Sequence, residues 1–368
     1  MTFIYLLIEF IDELVFGVGE TAWPLIRTDL ALSYAQIGLL ISLPGILSAF
    51  IEPFLGILGD VWKRRLLILG GGILFTVSLI LTALSHSFAP LLLSFILFYP
   101  SSGAFVGLAQ ANLMDSAPDR HEQNMARWTS AGSLGNVLGP LVLGVFVYFS
   151  LGWRGAYAML ATVSAFCVIA AFRWVRPDPA SAAHFPSFQS VFDGFRAAFS
   201  ALKRGEVWRW LILLEFSDLM LDVFLGFLAL YFVDVVGVGE AQAGIAVTLW
   251  LALGMLTDFL FIPIIDARLD SMKFMRVTAV LEVFALSTFL LVPGFFPKLI
   301  AVVLVNLCNT GWYPILKGRL YSAMPGQSAS LMAVESVTAP FAKLFPFLVG
   351  LLADQVGLGN AIWLLMLG

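Results

Sequence analysis

Four carboxylates fall within the first twenty residues of an apolar chain: Glu9, Asp12, Glu13 and Glu20. At the helical step between residues they share an arc of about 100°, one face of one helix. Glu215, Asp218 and Asp222 follow at spacings of three and four and share an arc of about 60°. Cations stand in other apolar runs, with Lys343 near the middle of one and Lys317 in another, Arg319 just beyond it. Asn112, Asn136 and Trp312 add polar or ring-bearing side chains in such runs. An ionisable residue at the centre of a membrane helix costs about 2.5–3.5 kcal/mol on insertion scales. Two acidic faces at that cost point to use. Carboxylates in an apolar cavity can take up and release protons, and a cluster of them attracts a cation. Structural ion pairing is the competing account of any single one. Lys343 requires a carboxylate partner, expected from one of the two acidic faces. Glu52 and Asp258 each lie about one turn before a loop, where gating or packing is expected of them.

The elements that carry these residues are membrane helices. The chain has 368 residues, 60% hydrophobic and 12% charged, with a mean hydropathy of +0.95. Soluble domains carry about 25% charged residues. Eleven apolar runs are long enough to span, at 3–26, 35–58, 66–85, 88–113, 128–150, 154–175, 208–234, 241–265, 273–293, 298–322 and 329–353. A twelfth starts at Leu358 but stops at Gly368. At about 1.5 Å per residue it cannot cross roughly 30 Å, so the last helix is incomplete or truncated. No alternating ten-residue pattern suggests a barrel.

One set of loops holds fourteen Lys and Arg, the opposite set only Arg27, Arg154 and Lys298. That imbalance places the N-terminus in the cytoplasm. The one long connection, 176–207, opens on Arg-Pro-Asp-Pro and then becomes amphipathic from Phe188 to Leu202, as an interfacial helix would. The apolar N-terminal run is too long and too acidic for a cleaved signal peptide. Cys167 and Cys308, and the scattered His86, His121 and His184, make neither a disulfide framework nor a metal site. No nucleophile–base set or phosphate loop is present, so neither an enzyme nor an ATP-driven machine is expected, and no cofactor or nucleic-acid partner.

The chain repeats itself at a shift of 206 residues. Leu7, Glu9, Phe10 and Asp12 fall on Leu213, Glu215, Phe216 and Asp218; Ala35, Gln36 and Gly38 fall on Ala241, Gln242 and Gly244. Asp60 falls on Asp266, and Pro140 and Gly144 on Pro346 and Gly350. The reading is an all-α membrane protein of two six-helix halves in parallel repeat, 1–175 and 208–368, joined by the linker 176–207.

The stretch Gly56-Ile-Leu-Gly-Asp60-Val-Trp-Lys-Arg64-Arg65 is a charged knot between the second and third spans. It resembles the loop signature of the major facilitator superfamily, Gly-x-x-x-Asp-Arg-x-Gly-Arg-Arg/Lys. Gly56, Asp60, Arg64 and Arg65 match; Val61 and Lys63 depart from it. A weaker copy stands at Asp266, Arg268 and Lys273. The resemblance implies a latch in which Asp60 and Arg64 reach toward Asp115, in Asp115-x-x-Pro118-x-Arg120. Gly135-x-x-x-Gly139-Pro140-x-x-x-Gly144 resembles the family's antiporter motif, with Leu143 where a Gly is usual. Its glycines and proline also suit ordinary close helix packing. Leu32 to Gly38 with Glu52-Pro53 is similar to the fosmidomycin-resistance-type efflux branch, while Tyr99-Pro-Ser-Ser-Gly103 stands where many drug–proton antiporters have Arg-x-x-Gln-Gly.

The resemblance implies a secondary transporter working by alternating access, monomeric, in the cell's inner membrane. The expected activity is proton-coupled export of a small amphipathic or cationic compound. A proton symporter of a small metabolite, with Lys343, Lys317 or Arg319 as the residues that would hold an anionic one, is the alternative. A non-transporting sensor or lipid-handling scaffold is the alternative of another class, and it has no use for two costly acidic faces.

Overall fold

The apolar runs become helices because a membrane helix satisfies every backbone polar group within itself. The computed structural model describes residues 2–61, 63–115, 121–175, 203–218, 223–260, 271–323 and 338–367. Contacts divide the chain into two compact units.

The first unit is Met1–Leu32 with Leu40–Phe195. It contains α1 (Thr2–Leu30), most of α2 (Tyr34–Val61), α3 (Arg64–Ala83), α4 (Phe88–Ser102), α5 (Leu108–Asp115), α6 (His121–Tyr148) and α7 (Gly152–Trp174). Pro24, Pro44, Pro53, Pro100 and Pro140 all lie inside helices, as membrane helices tolerate. After Pro100 the chain takes one wide π-helical turn, Gly103–Gly107, before α5 resumes. Such turns absorb a break in the hydrogen-bond ladder and recur at functional sites. Arg154, expected in a loop, lies in the first turn of α7, where it pairs with Asp29, donates to the Ser85 carbonyl (2.8 Å) and stacks on Trp153.

The second unit is Ser33–Leu39 with Arg196–Gly368. It contains α8 (Gly205–Asp218), α9 (Leu225–Asp234), α10 (Glu240–Leu260), α11 (Ser271–Leu291), α12 (Phe295–Asn309), α13 (Trp312–Ala323) and α14 (Thr338–Val356). Asp354 accepts from the Tyr34 and Ala35 amides, 2.8 and 2.9 Å, and so caps the start of α2 within this unit. The last described stretch is a short helix, α15 (Leu358–Ala361), tightening into a 3-10 helix at Ile362–Leu367. The expected interfacial helix of 188–202 lies outside the described residues.

Among the described residues eight helices are long and apolar enough to cross a membrane. α1 has the length but carries its acids and Arg27. Lys298 is the residue whose place differs most from expectation. It lies in the first turn of α12 and is buried, its ammonium donating to the Tyr231 hydroxyl (3.1 Å) and to the Phe289 and Leu290 carbonyls that end α11. Its charge also faces the Tyr231 and Phe289 rings at 4.9 Å. A lysine that caps a helix C-terminus this way is satisfied by the orphan carbonyls there.

Candidate functional site

The acidic face of α1 is turned into the first unit. Glu9 and Asp12 are both buried. Asp12 accepts a hydrogen bond from Ser102 (2.8 Å), the last residue of α4 before its π turn. Glu13 accepts one from the Asn136 amide of α6 (2.9 Å). Glu9 lies against Gly132, where a Cβ would stand 2.6 Å from its carboxylate oxygen. Glu52 of α2 joins this group: its carboxylate accepts from Ser48 (2.6 Å), and its chain rests on Gly103. Glu13 and Glu52 both act electrostatically on Asp12. Four carboxylates from two helices therefore gather beside α4, its π turn and α6.

The pairing of α1 with α6 holds this group in place. A Cβ on Gly17 would overlap the Asn136 carbonyl, one on Gly135 the Phe10 carbonyl, and one on Gly139 the Gly17 backbone. Gly132, Gly135 and Gly139 recur at three and four residues and form one stripe, which lets the two backbones touch. Pro140 lies inside α6, and a Cβ on Gly144 would meet nothing within 4 Å among the described residues.

Glu20 of α1 stands apart from Glu9, Asp12 and Glu13. It lines a small pocket with Trp23, Phe95, Tyr99 and Tyr157, of about 30 Å³, room for a water or two. The Trp23 indole N–H is buried there without a hydrogen-bond partner among the described residues.

At the loop motif, Arg64 is buried; its Nε donates to the Gly59 carbonyl (3.0 Å) and its Nη1 to Asn112 (3.1 Å). Asn112 thus meets the loop arginine instead of the acids of α1. Arg65 donates to the Phe172 carbonyl at 2.6 Å and covers the Phe172 ring. Gly56 lies in α2. The side chains of Asp60, Asp115, Asp218 and Lys317 lie outside the described residues, as do Asp222 and Asp266 altogether.

In the second unit, Glu215 lines a pocket between α8 and α14, and Lys343 lies at a turn within α14. Trp312 donates its indole N–H to Thr278 of α11 (2.8 Å). Sequence reasoning missed Glu282, at mid-span in α11, buried with both carboxylate oxygens lacking a hydrogen-bond partner among the described residues. Its signal was plain, an acid inside an apolar run, but it lacked a neighbour at helical spacing. Asn306 and Asn309 of α12 also keep buried polar atoms without a partner among the described residues. Among the described residues no three His, Cys, Asp or Glu side chains gather as a metal set.

The model of the Major Facilitator Superfamily matches residues 5–339. The chain belongs to that superfamily. It is a multi-pass membrane protein of a transporter family, as the loop motif and the repeat implied. Among curated proteins it is similar to the quinolone resistance protein NorA of Staphylococcus aureus (strain Mu50), 28% identical over 165 residues. That match covers 44% of this chain and 42% of NorA, so it spans less than half of the relative's length. An uncharacterised transporter of Buchnera aphidicola matches at 28% over 143 residues, 37% of this chain and 36% of that one. Among solved structures, the nucleoside transporter NupG (D323A mutant) superposes with a TM-score of 0.81 over 99% of this chain and 96% of that one, at 16% identity. A bacterial homologue of the human lysosomal transporter Spinster, inward-facing and unoccupied, gives 0.72 over 96% and 81%, at 20% identity. At such identities the likeness is one of fold.

Proposed function

We propose that this transporter is a proton-coupled antiporter that exports a small amphipathic or cationic compound by alternating access. The observation that carries the reading is the carboxylate group of Glu9, Asp12, Glu13 and Glu52, drawn together in the first unit and held by Ser102, Asn136 and Ser48. Acids gathered inside a membrane helix bundle are costly, and proton relay or cation binding is their usual use. The Asp12–Ser102 bond lies beside a π turn, an element able to change its hydrogen bonding with little rearrangement. The partial likeness to a quinolone resistance protein supports export of a compound foreign to the cell. The Arg64–Asn112 contact supports a cytoplasmic latch at the loop motif, with Asp60 and Asp115 as its expected acids. A cytoplasmic N-terminus and a monomer in the inner membrane complete the reading.

Reconstitution into liposomes with an imposed pH gradient tests it. Efflux of an organic cation against inward proton flow is expected, and Asp12→Asn is expected to abolish its dependence on the gradient. Gradient dependence unchanged in Asp12→Asn would remove the α1 acids from coupling. Solute moving in the same direction as the proton would replace antiport by symport.

A further inference from the structure

The span read from the sequence at 298–322 is broken near its middle. α12 ends at Asn309 and α13 begins at Trp312. Between them Thr310 leaves the helix (φ −54°, ψ 128°) and Gly311 takes a positive φ of 80°, a conformation glycine adopts without strain. Asn309, Thr310 and Gly311 are all buried. Non-helical backbone at membrane depth is tolerated where protein covers it or where it lines a cavity. Asn306 donates its amide N–H to the Trp250 carbonyl of α10 (3.1 Å). A carbonyl only accepts, so the Asn306 oxygen is the atom left over. Trp312 ties α13 to Thr278 of α11 (2.8 Å), and Glu282 lies one turn beyond Thr278 on the same face. α11 and α12 are consecutive and antiparallel, so that turn leads to the end of α12, where Glu282 acts electrostatically on Cys308. Asn309 lies on the arc of α12 between Asn306 and Cys308. Glu282, Asn306 and Asn309 are each at most 6% exposed.

We propose that the α12–α13 break, with Glu282, Asn306 and Asn309, is a binding site for one sodium ion. Five buried polar atoms there have no hydrogen-bond partner among the described residues: both Glu282 oxygens, the Asn306 oxygen, and the Asn309 oxygen and nitrogen. Four of them accept and one donates. The C-terminus of α12 adds backbone carbonyls without intrahelical partners and the negative end of its dipole. So large an excess of acceptors calls for a cation. A bridging water has two protons to donate and leaves the carboxylate's charge buried and uncompensated. One carboxylate balances one positive charge, whereas a divalent ion would leave a net charge inside the membrane. Carboxylate, amide and backbone oxygens are hard ligands, unsuited to zinc or copper. Unwound backbone and half-helix C-termini coordinate sodium in several transporter folds. The site lies in the second unit, apart from the acids of α1, and stands whether or not the exporter reading does.

Thermal unfolding of the purified full chain in detergent tests it, with sodium chloride compared against choline chloride at equal ionic strength. Sodium at about 100 mM is expected to raise the melting temperature by at least about 3 °C over choline, and the rise should grow with the logarithm of sodium concentration, as mass action requires. Equal melting in the two salts overturns the site. Glu282→Gln keeps the shape of the side chain and removes its charge, and is expected to abolish the difference between the salts. Asn309→Ala removes one oxygen ligand and is expected to shrink that difference by half or more. A sodium shift retained in full by Glu282→Gln would belong to another site and overturns the proposal. If Glu282→Gln does not fold, Asn309→Ala decides: a full shift overturns the proposal, and a reduced one supports it. None of these readings depends on flux, so a failure of the exporter reading in liposomes leaves this result standing, and the reverse holds as well.

Discussion

The α1–α6 seam of the first unit and the α8–α14 pair of the second come from one repeated pattern, and they differ at three positions of one stripe. Glycines at Gly132, Gly135 and Gly139 bring backbones into contact and pin the acids of α1 between Asn136 and Ser102. Thr338, Phe341 and Phe345, at the mates of those positions, open a cavity beside Glu215. Without a hydrophobic force between helices in lipid, the association of membrane helices depends on how closely they pack. A few side chains on one stripe therefore decide whether a helix pair is a seam or a pocket. The repeat conserves the scaffold while its contents diverge: the first unit fixes its carboxylates and the second leaves space beside one.

The largest expected effect is at the seam. Gly139→Phe places a ring where even a Cβ overlaps the Gly17 backbone. Overpacking of a core costs about 1–3 kcal/mol when side chains can adjust, and here the obstacle is backbone, so a loss beyond about 3 kcal/mol is expected. The converse change, Phe345→Gly, removes a half-buried ring from the rim of a cavity and is expected to cost less than the roughly 3–5 kcal/mol of a core phenylalanine truncation. Thermal unfolding in detergent, with size-exclusion profiles, compares them. Similar losses for both would mean that the two helix pairs are packed alike.

Next comes a contrast between two buried carboxylates. Asp12 has Ser102; Glu282 has both oxygens unpartnered among the described residues. A buried polar group lacking a partner costs about 1–3 kcal/mol, so in sodium-free buffer Glu282→Leu is expected to raise stability by roughly that amount. Asp12→Leu strands the Ser102 hydroxyl and is expected to lower it. If Glu282→Leu instead lowers the melting temperature, Glu282 has a partner in the folded protein and the contrast fails. A stabilised Glu282→Leu that no longer transports would mark the residue as kept for function at the expense of stability.

What the sequence made legible follows from which interactions are periodic. The helices, the repeat, the loop motif and the acidic face of α1 are all spacings along one chain, and the family match and the structure agree with the fold they implied. Glu52 was legible as an acid near a loop, but its place beside Asp12 depends on how α2 meets α4 across the π turn, which no spacing encodes. Lys298 looked like a loop charge because it follows Gly294 and Pro297 closely; its burial comes from carbonyls ending a different helix. Asn112 sat at cavity depth by count, yet helix rotation turned it to Arg64. The cavity at α8–α14 was written in the repeat alignment itself, as rings at the mates of glycines. It stays hidden until the first pair is seen in contact.

The smallest expected effect concerns how the second unit ties its helices without a glycine seam. Trp312 of α13 donates to Thr278 of α11, and that hydroxyl in turn lies within hydrogen-bond reach of the Phe274 and Met275 carbonyls of its own helix, at 3.1 and 3.2 Å. The chain is polarised along its length, a side-chain link where the first unit uses backbone contact. Trp312→Phe keeps most of the ring and deletes the donor, for an expected loss of about 0.5–1.5 kcal/mol. The sequence also offered Trp312 as a ring for stacking on a planar ligand, and the two roles separate cleanly. A drop in melting temperature with gradient-driven efflux unchanged assigns Trp312 to the helix tie. Efflux lost with stability intact would assign it to the ligand, and would place a binding surface of the second unit at α11 and α13.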